Sequence, residues 1–282
     1  MDIKFLPIVV LYKIGLSHSD SINSILDSDV EGLISELFVY DNSPAREGNN
    51  EVIESYRGRK VYYITDYSNS GVSAAYNKGL SKAKELNYEY VLLLDQDTKF
   101  PPESVVEYVK AIKNNPHIKL VAPRLKTSKG ELCSPLRYSL HRGFVLKEIE
   151  PGIYPLDRYS PINSGMMLNT SSAIQCGGYV EKVFLDFSDF QFIEKLKRNV
   201  DCFYVMPLLV IQDLSNDEPD TNSLLNRFKI YCKCARNCHR NNFIDDAIYF
   251  FMVLNRAIKL TLRTKERQFI LYFSRFYVRG QK

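Results

Sequence analysis

Two aspartates separated by one residue, Asp95 and Asp97, follow an apolar run in the stretch YEYVLLLDQDT at residues 88–98. The run at 91–94 is short and β-capable, which predicts a buried central strand. If the chain stays extended beyond it, alternation puts Asp95 and Asp97 on one face and Gln96 on the other. Two carboxylates crowded at the mouth of an apolar strand repel each other and lose hydration, a cost that something must offset. A divalent cation carrying a diphosphate would offset it, since hard oxygen ligands suit Mg²⁺ or Mn²⁺. The other reading is a turn in which both acids accept from backbone N–H groups and face water. The stretch alone supports either.

Further chemistry-capable residues fall at the ends of other predicted strands. Residues 37–40 (LFVY) end in Asp41-Asn42-Ser43-Pro44, a turn signature. Residues 61–65 (VYYIT) lead into NSGVSAAYNKGLSKAKEL at 69–86, where Gly71 marks a tight passage into a helix. Asn77 inside that helix is a mild misfit, explained by contact with a ligand or by simple exposure to water. In LDFSDFQFIEKL at 185–196, Asp186 and Asp189 lie three apart beside an apolar stripe. Asp186 is the expected helix cap, which leaves Asp189 as a first-turn acid or a site residue.

The elements that must position these residues read β-α-β-β-α-β-α-β up to residue 122. Strands are expected at 8–12, 37–40, 61–65, 91–94 and 118–122, and helices at 21–28, 73–86 and 103–115. Val105, Val106, Val109 and Ile112 form the inward stripe of the last helix. This order predicts a three-layer α/β/α domain with a largely parallel sheet, in which ligands sit beyond the C-terminal strand ends. Asp41, residues 66–69 and residues 95–97 all lie there. Residues 126–159 lose periodicity, as a β-excursion or a loop closing over a substrate. A strand at 162–168 carries Asn163 and Gly165, a helix is expected at 170–175, and the last strand is 203–211. Polar loops are expected at 45–55 and 213–221, and helices beyond residue 222.

The 282 residues suffice for a large core, and a net charge of +4 is too small for a general nucleic-acid binder. From Arg256 onward there are eight Lys or Arg against the single acid Glu266, interleaved with aromatics. That suits either a surface lying on anionic lipid or helices packed on the sheet with their charges in water. No apolar run is long enough for a membrane span, and the N-terminus lacks a signal-peptide pattern. The six cysteines read as the reduced thiols of a cytoplasmic protein. The CxCxxxCH cluster of Cys232, Cys234, Cys238 and His239 matches no common structural zinc spacing.

Taken in order, VVLY, VYDNSP, NSGVSAAYNKGLSKA, YVLLLDQDT and NSGMMLNTSSAIQCGGYVEKVFLDFSDFQF resemble family 2 glycosyltransferases of the GT-A fold. The text is most similar to the rhamnosyltransferase-like branch of bacterial surface-polysaccharide synthesis, over residues 6–240. The resemblance implies a GT-A domain at 1–221 (donor half 1–124, acceptor half 125–221) and a helical basic and aromatic extension at 222–282. It implies that Tyr12, Asp41, Asn69, Gly71, Asn77, Asp95, Asn163 and Gly165 bound the nucleotide-sugar pocket, with Asp41 on the base. Asp97, with Asp95, would hold a Mg²⁺ or Mn²⁺ ion bridging the diphosphate, and Asp189 would be the acceptor-side base. Arg236 and Asn237 also resemble a family feature. The donor would be a UDP- or dTDP-sugar such as dTDP-rhamnose, and the acceptor a glycan or lipid-linked glycan. The protein would be cytoplasmic or peripheral on the inner membrane face, with residues 256–282 as the lipid contact.

One departure is visible. Many such relatives carry His near Gln212, and a glutamine offers an oxygen without imidazole basicity. The chemistry otherwise suits the residue types. A cation neutralises the leaving diphosphate, and one carboxylate takes the acceptor proton. With one base and no second catalytic acid, a single inverting displacement is expected. The alternative is an inactive nucleotide-sugar or glycan binder of the same fold. A dinucleotide-dependent oxidoreductase is disfavoured, because LYKIGLSHSD after the first strand lacks GxGxxG.

Overall fold

The structure is a computed structural model that describes residues 3–44, 53–212 and 220–281. The expected loops at 45–55 and 213–221 lie outside the described residues except at their edges. In chain order the elements are β1 (Phe5–Leu11), α1 (Asp20–Asp27), β2 (Glu36–Asp41), β3 (Ser55–Tyr56), β4 (Arg59–Thr65), α2 (Val72–Glu85), β5 (Tyr90–Asp95) and β6 (Thr98–Lys99). Then come α3 (Ser104–Asn114), β7 (Leu120–Thr127), β8 (Leu132–Ser134), β9 (Leu136–Ser139), β10 (Arg142–Phe144), β11 (Gly152–Pro155) and β12 (Tyr159–Ser160). The remainder is β13 (Met167–Asn169), α4 (Thr170–Gln175), α5 (Ser188–Leu196), β14 (Cys202–Gln212), α6 (Thr221–Asn237), α7 (Phe243–Thr264) and α8 (Gln268–Tyr272), which runs into a π-helical turn at Phe273–Val278.

The main sheet has the order β11-β14-β7-β13-β5-β1-β2-β4-β3. Strands β5, β1, β2 and β4 are parallel, as expected. The sheet is nevertheless mixed, because β13 is antiparallel to both β5 and β7. Alternation along β1 sends Phe5, Val9 and Leu11 to one face, with α1 and α3. It sends Leu6, Ile8 and Val10 to the other, with α2 and α5. Both faces are therefore covered, which is why β1 is buried along its whole length. Three layers result.

Several local expectations are corrected. On α3 the buried residues are Ser104, Val105, Tyr108, Ala111 and Ile112, while Val106 and Val109 are only half-buried. Tyr108 takes the inward place because its hydroxyl donates to the Gly165 carbonyl oxygen at 2.5 Å, satisfying a buried polar group. Residues 162–166 form a turn rather than a strand, since Gly165 sits at φ +76° and only residues 167–169 pair. The aperiodic region 126–159 is a β-excursion. Its strands β10, β9 and β12 form a separate small sheet.

The C-terminal helices bury Phe228, Tyr231, Tyr249, Val253, Phe269 and Phe276 against Val183 and Phe187 of the segment that leads into α5. Cys232, Cys234 and Cys238 are buried in this third core as free thiols, and burial pushes the thiol pKa of each upward. Arg236 donates to the Val278 carbonyl oxygen at 2.9 Å, and Asn237 donates to that of Lys182 at 3.1 Å. Arg236 thus holds the C-terminal segment, and Asn237 ties α6 to the segment that leads into α5.

His141 joins the parts. Its Nδ1 lies 2.6 Å from Glu194 Oε1 on α5, and its Nε2 lies 2.9 Å from Asp245 Oδ1 on α7. With a carboxylate at each ring nitrogen, both contacts are hydrogen bonds only while the ring is protonated. The hydrogen bond to Glu194 accordingly raises the His141 pKa, with burial opposing and Asp245 adding. A raised histidine stabilises fully below its unfolded pKa of about 6.5, and that contribution is lost as pH rises through the folded value. Thermal stability should therefore fall as pH climbs above about 6.5. His141→Gln should be less stable near pH 6 and show a flatter decline, and melting curves across pH check both. An equally steep decline in the variant would assign it elsewhere.

Candidate active site

The carboxyl ends of the parallel strands open into a cleft of about 540 Å³. It collects Tyr12, Asn69, Gly71, Asp95, Asp97, Asn163, Asp189 and Gln212 on one wall system. The route differs from strict alternation. Strand β5 stops at Asp95, and Gln96 and Asp97 form a turn before β6. The turn, not an extended backbone, brings Asp95, Gln96 and Asp97 together on the same cleft. Gln96 closes it by accepting the Tyr12 backbone N–H at 2.7 Å.

Asp95 is held from behind. Its Oδ1 accepts from the Tyr76 hydroxyl of α2 at 2.9 Å. Burial first, then the neighbouring charge of Asp97, push its carboxyl pKa up to about 6, against hydrogen bonding from Tyr76 and Gln212. Pairing of β14 with β6 sets Gln212 opposite Thr98, beside the aspartate turn. Gln212 Oε1 is buried and has no hydrogen-bond partner among the described residues. Two carboxylates and an orphaned amide oxygen are hard oxygen donors gathered at one turn, and they fit Mg²⁺ or Mn²⁺ shared with substrate phosphates. Among the described residues no group of three or more His, Cys, Asp or Glu is placed to hold a metal. Any cation here would complete its shell with Gln212, water and substrate oxygens.

Asp189 stands on the first turn of α5, lining the same cleft. Its Oδ1 accepts the Phe190 backbone N–H at 3.0 Å. Burial pushes its carboxyl pKa up to about 6, in the range suited to a general base near neutral pH. Asp186 behaves differently from expectation. It is not the cap of α5, because Phe187 occupies that position at φ +67° with no capping side chain. That left-handed residue turns Asp186 away from the helix, and Asp186 Oδ1 instead accepts from Arg227 of α6 at 2.9 Å. Arg227 itself lines the cleft. It sits between Asn226 and Phe228 on α6 with no motif around it, so nothing in the sequence pointed to it.

Other predicted residues are placed one step back. Asn77 does not line the cleft. Its Oδ1 accepts the Tyr179 N–H at 2.8 Å, and its Nδ2 donates to the Tyr179 carbonyl oxygen at 3.1 Å. Tyr179 then donates its hydroxyl to Asn163 Oδ1 at 2.7 Å, so Asn77 orients a cleft residue through Tyr179. Gly165 also lies behind the cleft, its N–H donating to the Leu93 carbonyl oxygen at 2.8 Å. Asp41 lies in an adjoining hollow of about 540 Å³ with Lys13, His18, Tyr56 and Tyr63. There Asp41 accepts from the Tyr63 hydroxyl at 2.9 Å and the Ser43 N–H at 3.0 Å.

The loop before α2 is sewn to the segment that carries Asp189. Val72 N–H donates to the Phe184 carbonyl oxygen at 2.8 Å, and Ser73 Oγ donates to that of Val183 at 2.6 Å. Gly71 adopts φ +91°, and a Cβ there would collide with Phe184 backbone. Gly71→Ala combines a strained backbone with this clash, so it should cost about 2 kcal/mol or more of stability in chemical denaturation. Wild-type stability would mean that this loop and the segment at 183–184 do not pack as described.

A mixed sheet with acids gathered at its parallel strand ends, facing a carboxylate on a following helix, defines the GT-A class of nucleotide-sugar-binding folds. The chain belongs to glycosyl transferase family 2, whose sequence profile matches residues 19–170. Among solved structures it is similar to GalNAc-T7 with UDP, GalNAc and Mn²⁺, at TM-score 0.59 and 14% identity over 81% of this chain and 47% of that one. It is also similar to S. aureus TarS 1-349, at TM-score 0.57 and 19% identity over 91% of this chain and 72% of that one. The same TarS fragment with UDP-GlcNAc gives TM-score 0.54 and 16% identity, over 91% and 73%. The chain thus spans about half the length of the GalNAc-T7 structure. No curated protein sequence gives a significant match.

Proposed function

We propose that this protein transfers a sugar, with inversion, from a nucleotide diphosphate donor to a glycan or lipid-linked acceptor. The observation that carries the reading is one cleft holding the Asp95–Asp97 turn and, across from it, the single carboxylate Asp189 poised near neutral pH. GalNAc-T7 with UDP and Mn²⁺, and TarS with UDP-GlcNAc, support a uridine donor and a divalent cation as working choices. The similarity of the motifs to the rhamnosyltransferase-like branch keeps dTDP-rhamnose beside them.

In this reading the base of the nucleotide enters the hollow at Asp41, whose carboxylate accepts a ring N–H. The diphosphate lies along the Asp95–Asp97 turn and Gln212, with Arg227 as the nearest cleft cation. A bound Mg²⁺ or Mn²⁺ would supply charge neutralisation for the leaving diphosphate. Asn163, oriented by Tyr179, contacts the donor sugar. Asp189 accepts the acceptor hydroxyl proton as that oxygen attacks the anomeric carbon, and the nucleotide diphosphate departs from the opposite side.

A panel of UDP- and dTDP-sugars, assayed for released nucleotide with and without Mn²⁺, tests the reading. Cation-dependent release from one donor class is expected, and the anomeric configuration of an isolated product reports inversion. Donor binding without release, with any acceptor offered, would leave a binding protein of the same fold.

The membrane part of the proposal rests on α7. Phe251, Ile258 and Leu262 are exposed along one face of it, 64%, 42% and 74% respectively, with Lys259 and Arg263 alongside. No helix among the described residues is long and apolar enough to cross a membrane. An apolar row edged by cations suits the surface of anionic lipid. Removal of the tail would also remove part of the third core, so point variants are the cleaner probe. Phe251→Asp with Leu262→Asp should lose co-sedimentation with phosphatidylglycerol vesicles while the fold persists. Equal sedimentation would make this face mere solvent-exposed surface.

A further inference from the structure

A second cavity, of about 380 Å³, lies behind the first turn of α5 and uses that turn as a shared wall. Asp189 faces the donor cleft, while Asp186, Phe187 and Phe190 face this second space. Its opposite side is built by Arg142 of β10 and by Arg256 and Lys259 of α7. The positions 252, 255, 256 and 259 form one helical stripe of α7 that looks into the cavity, next to the exposed apolar row at 251, 258 and 262.

Charge in this space is unbalanced. Asp186 is the only acid among the cavity residues, and its ion pair is with Arg227, which belongs to the donor cleft. None of Arg142, Arg256 or Lys259 has an Asp or Glu within ion-pair distance among the described residues. Two are instead held by rings. Arg256 sits 4.2 Å from the Tyr231 ring centroid, and Arg142 sits 4.4 Å from that of Phe144. Ring stacking fixes a guanidinium plane, and its five N–H donors leave Arg256 further donors for an oxoanion beside its interaction with the Tyr231 hydroxyl. Arg256 also acts on the Asp186 carboxyl, after Arg227, so two guanidiniums share the one carboxylate, and with Arg142 and Lys259 added the space stays net positive.

We propose that this cavity binds a phosphate-type oxoanion of the acceptor, a phosphodiester or lipid-linked phosphate, on Arg142, Arg256 and Lys259. Bound there, the acceptor is anchored on one side of the first turn of α5 and presents its hydroxyl to Asp189 on the other. The designation as acceptor rests on the transferase reading above; the anion site itself does not. The exposed apolar row beside the cavity stripe would let a lipid carrying that phosphate keep its chain at the membrane surface.

The test is titration of the full chain in EDTA, which withholds divalent cations from the Asp95–Asp97 turn. The probes are inorganic phosphate, glycerophosphoglycerol as a soluble phosphodiester, and phosphatidylglycerol vesicles. Saturable phosphate binding is expected, weakened about tenfold or more in Arg256→Gln and in Lys259→Gln, since each removes a charge-assisted hydrogen bond. Lys259 is exposed on its helix, so its variant stays informative if Arg256→Gln loses its packing on Tyr231. Competition by glycerophosphoglycerol would identify a phosphodiester acceptor. Loss of vesicle binding in both variants without such competition would identify a lipid headgroup. Absence of saturable phosphate binding, or binding unchanged in both variants, overturns the site. Nucleotide release from the donor panel is measured on the same preparations. Intact phosphate binding with no transfer would therefore remove only the acceptor role, and transfer without phosphate binding only the cavity.

Discussion

Asp189→Asn should lower kcat roughly 10²- to 10⁴-fold while donor Kd stays near wild type, because shape and hydrogen bonding persist and only the proton acceptor is lost. The wild-type pH profile should agree. A base must be ionised, and burial pushes the Asp189 pKa up to about 6, so turnover should fall as pH drops below about 6 and level off above it. The same shift has a stability sign. A carboxyl whose folded pKa is raised costs stability when ionised, fully above the folded pKa and not at all below the unfolded one. At pH 8 the asparagine variant should therefore be more stable than wild type, by about 3 kcal/mol. Slower turnover with higher melting temperature is a paired result that a merely damaged protein would not give.

Asp186→Asn is the control that the structure redefines. The residue does not cap α5, so the expected change is loss of the 2.9 Å pair with Arg227 and release of that guanidinium in the donor cleft. Donor affinity should shift more than kcat. Near-normal kcat in the Asp189 variant with collapse in the Asp186 variant would exchange the roles, and no loss in either would leave the mechanism without its base.

The second large effect is at the aspartate turn. Asp97→Asn removes the charge that, after burial, pushes the Asp95 carboxyl pKa up, and with it one oxygen-donor carboxylate of the turn. Loss of an outer-shell partner of a metal typically costs about 10- to 100-fold in affinity, so loss of a direct ligand should reach at least that range. Calorimetric titration of UDP or dTDP with and without Mn²⁺ separates the cases. The cation-dependent increment should vanish in the variant while cation-free binding changes little. Equal increments in variant and wild type would place the cation elsewhere.

Much of this was legible in the sequence, because strand period and strand-end chemistry are local. The apolar runs at 91–94 and 37–40 fall inside β5 and β2, and the acids that end them stand at the carboxyl ends of parallel strands on either side of β1. A buried parallel strand has to be apolar on both faces and has to stop where polar groups begin, so text and position are linked. The short helix at 170–175 was legible for a similar reason, since Asn169 caps it by accepting the Ser172 N–H.

The tertiary structure decided what pairs and what faces. Alternation assigned Asp95 and Asp97 to one face of an extended chain, yet a turn after Asp95 does the gathering, and the side chain of Gln96 completes it. Asn77 read as a pocket residue, but its partner is Tyr179, 102 residues away. Asp186 and Asp189 look equivalent at a spacing of three, and a left-handed Phe187 between them sends one to Arg227 and the other to the cleft. Arg227 and the cations of the second cavity gain meaning only when α6 and α7 are brought against residues far away in the chain. Side-chain type is written locally; the company that a side chain keeps is set by long-range packing, and the chemistry of this cleft follows from that company.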